Sequence, residues 1–346
     1  MGKASDSAPA IGLLSIGCKR FVDIGKDTLR GRYAERVNKR HQELRAALSQ
    51  IATVVEVGVV YNDADLQANL VQFRGESVNL IVVTFLSWAE DDVWIHFVRD
   101  FAQDVPLVYF SEAFDAVGFE TCEADDDFVE FLSRGNSVGA LIGSATLARY
   151  TISPRTVVGS VPELISQIQR TLRAVEVARH LQETRFGLLG SYNTLMKGTY
   201  VDPYLLQQYG PDVSFISYSE YAETIDKVSD ERVDKYRSSL ELLESDVELS
   251  ADNDSLSASI RASLAMADLM EEHDMSALAL NDVDTRLFEL IGLRPGFYPR
   301  ELNRKGRVVV PEGDLGMAFA ALLLKRLSGS RVNVVEPFMI NRASGT

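Results

Sequence analysis

Three carboxylates late in the chain, Glu312, Asp314 and Glu336, have the spacing that most suggests chemistry. Glu312-Gly313-Asp314 follows Arg307-Val-Val-Val-Pro311, and Glu336 ends Arg331-Val-Asn-Val-Val-Glu336 some two dozen residues on. The β-branched run Val308 to Val310 predicts a short buried strand stopped by Pro311. Leu315 to Leu327 predicts a helix with Met317, Ala321 and Leu324 on one face and Phe319, Leu322 and Leu323 on the other. A helix apolar almost all round is buried. Val332 to Val335 predicts a second strand. A buried strand–helix–strand unit would thus deliver Glu312 and Asp314 at one strand end and Glu336 at another. Carboxylates at the edge of an apolar unit need hydrogen bonds, a cation or a metal. Asp314 is equally placed to cap the helix, so a structural role competes with a chemical one.

The elements that must position these acids follow from the rest of the chain. Ile11 to Ile16, Ala52 to Val60, Asn79 to Phe85 and Pro106 to Phe110 read as strands, with a long helix over 24–51 between the first two. Arg155 to Gly159 is a further strand. Ser160-Val-Pro-Glu163 is a capping box opening a helix to about Gln182. Strands then recur at Arg185 to Gly190, Asp212 to Tyr218 and Ser276 to Leu280, separated by helices. This alternation predicts an α/β protein of two consecutive Rossmann-like or flavodoxin-like parallel-sheet domains, 1–183 and 184–305. Residues 306–346 are expected to begin a third, C-terminal domain.

In open parallel sheets ligands collect beyond the carboxyl ends of the strands. Thr84, Ser87 and Trp88 close one strand, where a polyol could stack on the indole and bond the hydroxyls. Covering the sheet is the competing role of the Trp. Asn193, with Lys197 and Tyr200, lies in a polar loop after Gly190, and Asp282 follows the strand ending at Leu280. Such residues are also ordinary turn formers. Gly187 and Gly190 do not fit the dinucleotide fingerprint G-x-G-x-x-G.

The formal charge of −15 argues against nucleic acid and anionic membranes as partners. Residues 1–10 lack the apolar core of a signal peptide, and no run approaches a membrane span, so a cytoplasmic location is expected. Two cysteines, Cys18 and Cys122, exclude a disulfide scaffold and a cysteine zinc site.

The stretch from Val308 to Glu336 resembles the metal-binding region of the L-arabinose/L-fucose isomerase superfamily. Weaker likenesses run in the same order through 79–110, 136–160 and 185–202. The resemblance implies an aldose–ketose isomerase working through a metal-stabilised enediolate. Mn²⁺ or another divalent cation would sit on Glu312, Asp314 and Glu336, and Glu312 or Glu336 would move the proton. Thr84, Ser87, Trp88, Asn193 and Asp282 would hold the sugar, and a homo-oligomer is implied. The family also places a histidine ligand beyond the second acidic position. His41, His96, His180 and His273 all precede Glu336, so the sequence is expected to stop before most of the C-terminal domain. A non-catalytic sugar-binding or assembly protein built on the same fold is the alternative.

Overall fold

The computed structural model describes residues 9–116, 119–243, 252–291, 300–335, 337 and 342–343. The chain divides into two compact units, Met1–Val175 and Glu176–Thr346. Each is a parallel sheet flanked by helices, the α/β architecture that the alternation of elements demands. The division falls inside the helix Val161–Gln182, a little earlier than 183/184.

The first sheet contains β1 (Ala10–Ile16), β2 (Thr53–Val55), β3 (Val59–Val60), β4 (Leu80–Phe85), β5 (Leu107–Glu112) and β6 (Arg155–Gly159). Its order is β2-β1-β4-β5-β6, with β3 also beside β1. Thr53 pairs with Ala10 and Val59 with Ser15, so β2 and β3 are one path along β1, interrupted before Gly58 at φ +122°. Residues 11–16 of β1 and all of β4 are buried on both faces, which is why they read as unbroken apolar runs. Beneath them Trp94 is fully buried, stacked on Phe97 at 5.5 Å, with its indole N–H donating to the Gly143 carbonyl at 2.8 Å.

The single helix expected over 24–51 is not formed. Gly25 at φ +82° and Gly31 at φ +84° are incompatible with a continuing right-handed helix, and the regular helix is Tyr33–Leu48. The acidic stretch Asp125 to Asp127 opens the helix Asp125–Arg134. There Asp126 and Glu130 pair with the buried guanidinium of Arg36 at 2.5 and 3.1 Å.

The second sheet contains β7 (Arg185–Leu189), β8 (Asp212–Ile216), β9 (Ala277–Leu280) and β10 (Val308–Val310), in the order β10-β9-β7-β8. This corrects the expected third domain. Val308 pairs with Ala277 and Val310 with Ala279, so the segment from 306 completes the second sheet. The helix Leu315–Ser328 covers it, placing Leu315, Ala318 and Leu322 in a core shared with Phe186 and Leu188. Gly329 ends that helix in the left-handed conformation at φ +66°. Val332 to Val335, expected as a strand, takes no regular structure. Apolar β-branched residues form a strand only where a ladder partner is offered.

Among the described residues no helix is long and apolar enough to cross a membrane.

Candidate active site

The winding of the second sheet decides where a site can be. The chain passes from β7 to β8 on one side, then places β9 and β10 on the other. Strand order therefore reverses between β7 and β9, and the loops leaving a reversal point diverge to open a crevice beyond the carboxyl ends. The residues that line it follow Leu189, Ile216, Leu280 and Val310.

The loop after β7 turns at Gly190, whose φ is +89°, and its N–H bonds the Ile216 carbonyl at 2.8 Å. A methyl group there would run into the ring of Tyr218. Glycine is thus what allows Tyr218, from the strand end of β8, to lie over the reversal point. The Tyr218 hydroxyl donates to the Asn281 carbonyl at 3.3 Å. Burial first, and then the negative charge of Asp284, pushes the phenol well above its ordinary pKa, so it stays a proton-bearing donor. For Asp284 burial acts to raise the carboxyl. Hydrogen bonds from Arg286 and Tyr218, together with the Arg286 charge, nevertheless hold it below the usual value.

Two asparagines follow the strands on either side of the reversal, Asn193 after β7 and Asn281 after β9. The Asn193 Oδ1 accepts the N–H groups of Leu195 and Met196 at 3.0 and 3.2 Å, but its Nδ2 is buried without a hydrogen-bond partner among the described residues. The Asn281 Nδ2 reaches the Ser191 hydroxyl at 3.5 Å, and its Oδ1 is buried and equally unpartnered. Buried polar atoms are nearly always satisfied, so an orphan donor and an orphan acceptor at one crevice call for a ligand group or water.

Asp282 is 2% exposed, and its Oδ1 accepts the Glu312 backbone N–H at 2.8 Å. That bond joins the ends of β9 and β10. Glu312 holds a left-handed backbone, φ +63°, followed by Gly313 at +68°. A non-glycine residue there costs about 1–3 kcal/mol, and such strain is concentrated at functional sites. Asp314 does cap the helix Leu315–Ser328, accepting the Met317 N–H at 2.8 Å. Asp314→Ala is expected to cost about 1 kcal/mol while Asp314→Asn, an equally good cap, costs far less. Urea midpoints would show the difference, and equal losses in both would count against the cap.

The structure thus brings Asn193, Asp282, Glu312 and Asp314 to the carboxyl edge of one sheet. Glu336 lies outside the described residues. Lys197 and Tyr200 are on the same loop as Asn193 but exposed, with Tyr200 packed edge-on to Tyr192 at 4.7 Å. Glu312 and Asp314 are the hard oxygen donors a divalent cation such as Mn²⁺ takes. Among the described residues no three His, Cys, Asp or Glu side chains are grouped to hold one, so these two acids do not complete a coordination shell.

Thr84, Ser87 and Trp88 stand at the corresponding reversal of the first sheet, between β1 and β4. Their polar groups are used internally. The Ser87 hydroxyl bonds the Trp88 carbonyl at 2.7 Å and the Tyr33 hydroxyl, which also accepts the Cys18 N–H at 2.9 Å. Thr84 is 1% exposed and donates to the Phe85 carbonyl at 3.4 Å. Phe21 lies 5.8 Å from the Trp88 ring, and the Arg20 guanidinium lies 6.0 Å from it. Tyr33 and Ser87 fill this crevice with their own hydrogen bonds, although the Tyr61 hydroxyl after β3 and the Arg40 Nε beside Leu86 are also buried without a partner among the described residues.

Sequence reasoning did not find Tyr218, and it placed Asn281 at a strand's carboxyl end without giving it a site role. Both depend on which strands are neighbours, and the only local signal was Gly190 placed directly after a strand.

No protein-family model matches the chain, and no curated protein sequence matches it.

Proposed function

We propose that the crevice of the second sheet binds an open-chain sugar and interconverts its aldose and ketose forms. The observation that carries this reading is the pair of orphan amide atoms, Asn193 Nδ2 and Asn281 Oδ1, beside the carboxylate-bearing ends of β9 and β10. A polyol hydroxyl both donates and accepts, so its chemistry suits either atom. Tyr218, whose hydroxyl donates to the Asn281 carbonyl, helps to hold that asparagine in place.

In the reaction Glu312, at the strained end of β10, takes the proton from C2 of the aldose. Electrons of that C–H bond form the enediolate, with negative charge on O1. The same carboxyl returns the proton to C1, and a hydroxyl proton passes from O2 to O1, leaving the ketose. Glu312 and Asp314, with Glu336, would hold a divalent cation such as Mn²⁺, which when bound supplies polarisation of O1 and O2.

The test is ketose formation from a panel of aldopentoses and aldohexoses with Mn²⁺ present, read by NMR. Glu312→Gln keeps the volume and removes the base, so turnover is expected to fall about 10²–10⁴-fold. Turnover of no aldose, or equal rates for wild type and Glu312→Gln, would sink the proposal.

A non-catalytic sugar-binding protein is the second reading, favoured by the use of Asp282 and Asp314 to hold backbone N–H groups. It predicts that aldoses raise the melting temperature with no ketose formed, and that Asn281→Ala removes the rise.

A further inference from the structure

The outer side of β10 carries a second feature, opposite in charge to the acidic edge. A cavity of about 820 Å³ opens along the outer side of β10, bounded by the last turns of the helix Leu315–Ser328 and by Arg331 to Val334. That volume suits a small organic ligand. Five cationic side chains line it, Arg304, Arg307, Lys325, Arg326 and Arg331, and no Asp or Glu does among the described residues. In a chain of formal charge −15 such segregation is not a random sample of the surface.

The cations differ in how they are held. Lys325 is 9% exposed, and its ammonium donates to a neutral acceptor, the Asn303 Oδ1. The Arg326 Nε is buried without a hydrogen-bond partner among the described residues. Arg304 and Arg331 are exposed at the rim. Arg307 pairs with a carboxylate, Glu271, at 2.8 Å, and the charge of Glu176 acts on Arg326; neither acid is part of the wall among the described residues. Cations at the end of a helix gain from the negative end of its dipole, which accounts for part of the placement of Lys325 and Arg326. It does not account for Arg304, Arg307 and Arg331, which arrive from other segments. Buried cations of like sign are costly unless an anion meets them.

We propose that this cavity is a binding site for a phosphate-bearing small molecule, separate from the sugar crevice. Arginine forks and a lysine point charge are the chemistry that recognises phosphate oxygens. β10 is an edge strand, and its Val308 N–H is turned inward to the Ser276 carbonyl at 3.1 Å. Neighbouring residues alternate in a parallel ladder, so the Val309 N–H faces the cavity as a further donor. Burial, with the charges of Arg326 and Arg331, holds the Lys325 ammonium below its ordinary pKa, a strain that a bound anion would relieve. The cavity runs along all of β10, but its helix cations Lys325 and Arg326 lie in the last turn of Leu315–Ser328, about 15 Å along the axis at 1.5 Å per residue from Asp314 at the start of that helix. Occupation of one site need not block the other.

The experiment is calorimetric titration of the full chain with inorganic pyrophosphate, in EDTA and at constant ionic strength set by sodium chloride. Wild type is expected to bind at one site. Lys325→Met keeps the buried stem, and Arg331→Ala changes only an exposed residue outside regular structure, so both should fold. Each is expected to weaken binding about tenfold or more, the scale of one charge-assisted hydrogen bond. No binding by wild type overturns the proposal. So does equal binding by wild type and both variants, which would mark a nonspecific anion effect. EDTA and the absence of sugar keep this outcome independent of the isomerase reading.

Discussion

Gly190→Ala is expected to destabilise the second unit by about 3 kcal/mol. An alanine at φ +89° pays roughly 1–2 kcal/mol for a left-handed backbone. Its methyl group also meets the Tyr218 ring, and overpacking of this kind costs about 1–3 kcal/mol. The ring has little freedom to retreat, because its hydroxyl is tied to Asn281 and Asp284. Urea unfolding followed by far-ultraviolet circular dichroism would give the loss. The two causes separate in a double mutant: Tyr218→Ala in the Gly190→Ala background should recover the steric part and leave the backbone part. A loss under about 1 kcal/mol for the single mutant would mean that Tyr218 does not lie over the reversal point.

Trp94→Ala is expected to cost the first unit about 4 kcal/mol. The indole is fully buried, stacked on Phe97 and set against Phe85 and Tyr109 at 5.6 Å. Truncating an aromatic residue to alanine in such a core costs about 3–5 kcal/mol. The Gly143 carbonyl also loses its 2.8 Å hydrogen bond and stays buried. Trp94→Phe should cost much less, since most of the volume remains. Both tryptophans belong to the first unit, so Trp88 fluorescence in the mutant reports that unit alone. An unfolding midpoint unchanged by Trp94→Ala would refute the packing.

Much of the fold was legible because its signals are local. The strands at Ile11, Asn79, Pro106 and Ser276 announce themselves as apolar runs between turn residues. Ser160 and Glu163 form the predicted capping contact at 2.7 Å, and the helix they open ends at Gln182 as read. The Asp314 cap was legible for the same reason. What depends on pairing was not. Val308 to Val310 and Val332 to Val335 look alike in sequence, yet only the first lies against β9, and nothing local distinguishes them. Nothing local foretells that Arg36 is buried, because Asp126, distant in the chain, comes to meet it. Asn193 and Asp282 were picked out by their place after strands. Tyr218 was missed and Asn281 was given no site role, since their importance arises from the reversal of strand order, a property of topology rather than of any segment.

That reversal also sets a timetable for folding. β7 is made first yet ends in the middle of its sheet, with β8 on one edge and β9 on the other. Ser191 and Asn281, which flank the junction, are 90 residues apart in the chain. While a ribosome delivers those residues, β7 can pair only with β8, and a two-stranded ribbon is marginal by itself. Its second edge stays open until β9 emerges, a template for pairing with other nascent chains. Closing so long a loop is also slow. The connectivity that opens the crevice therefore makes the second unit the late and vulnerable step in biosynthesis.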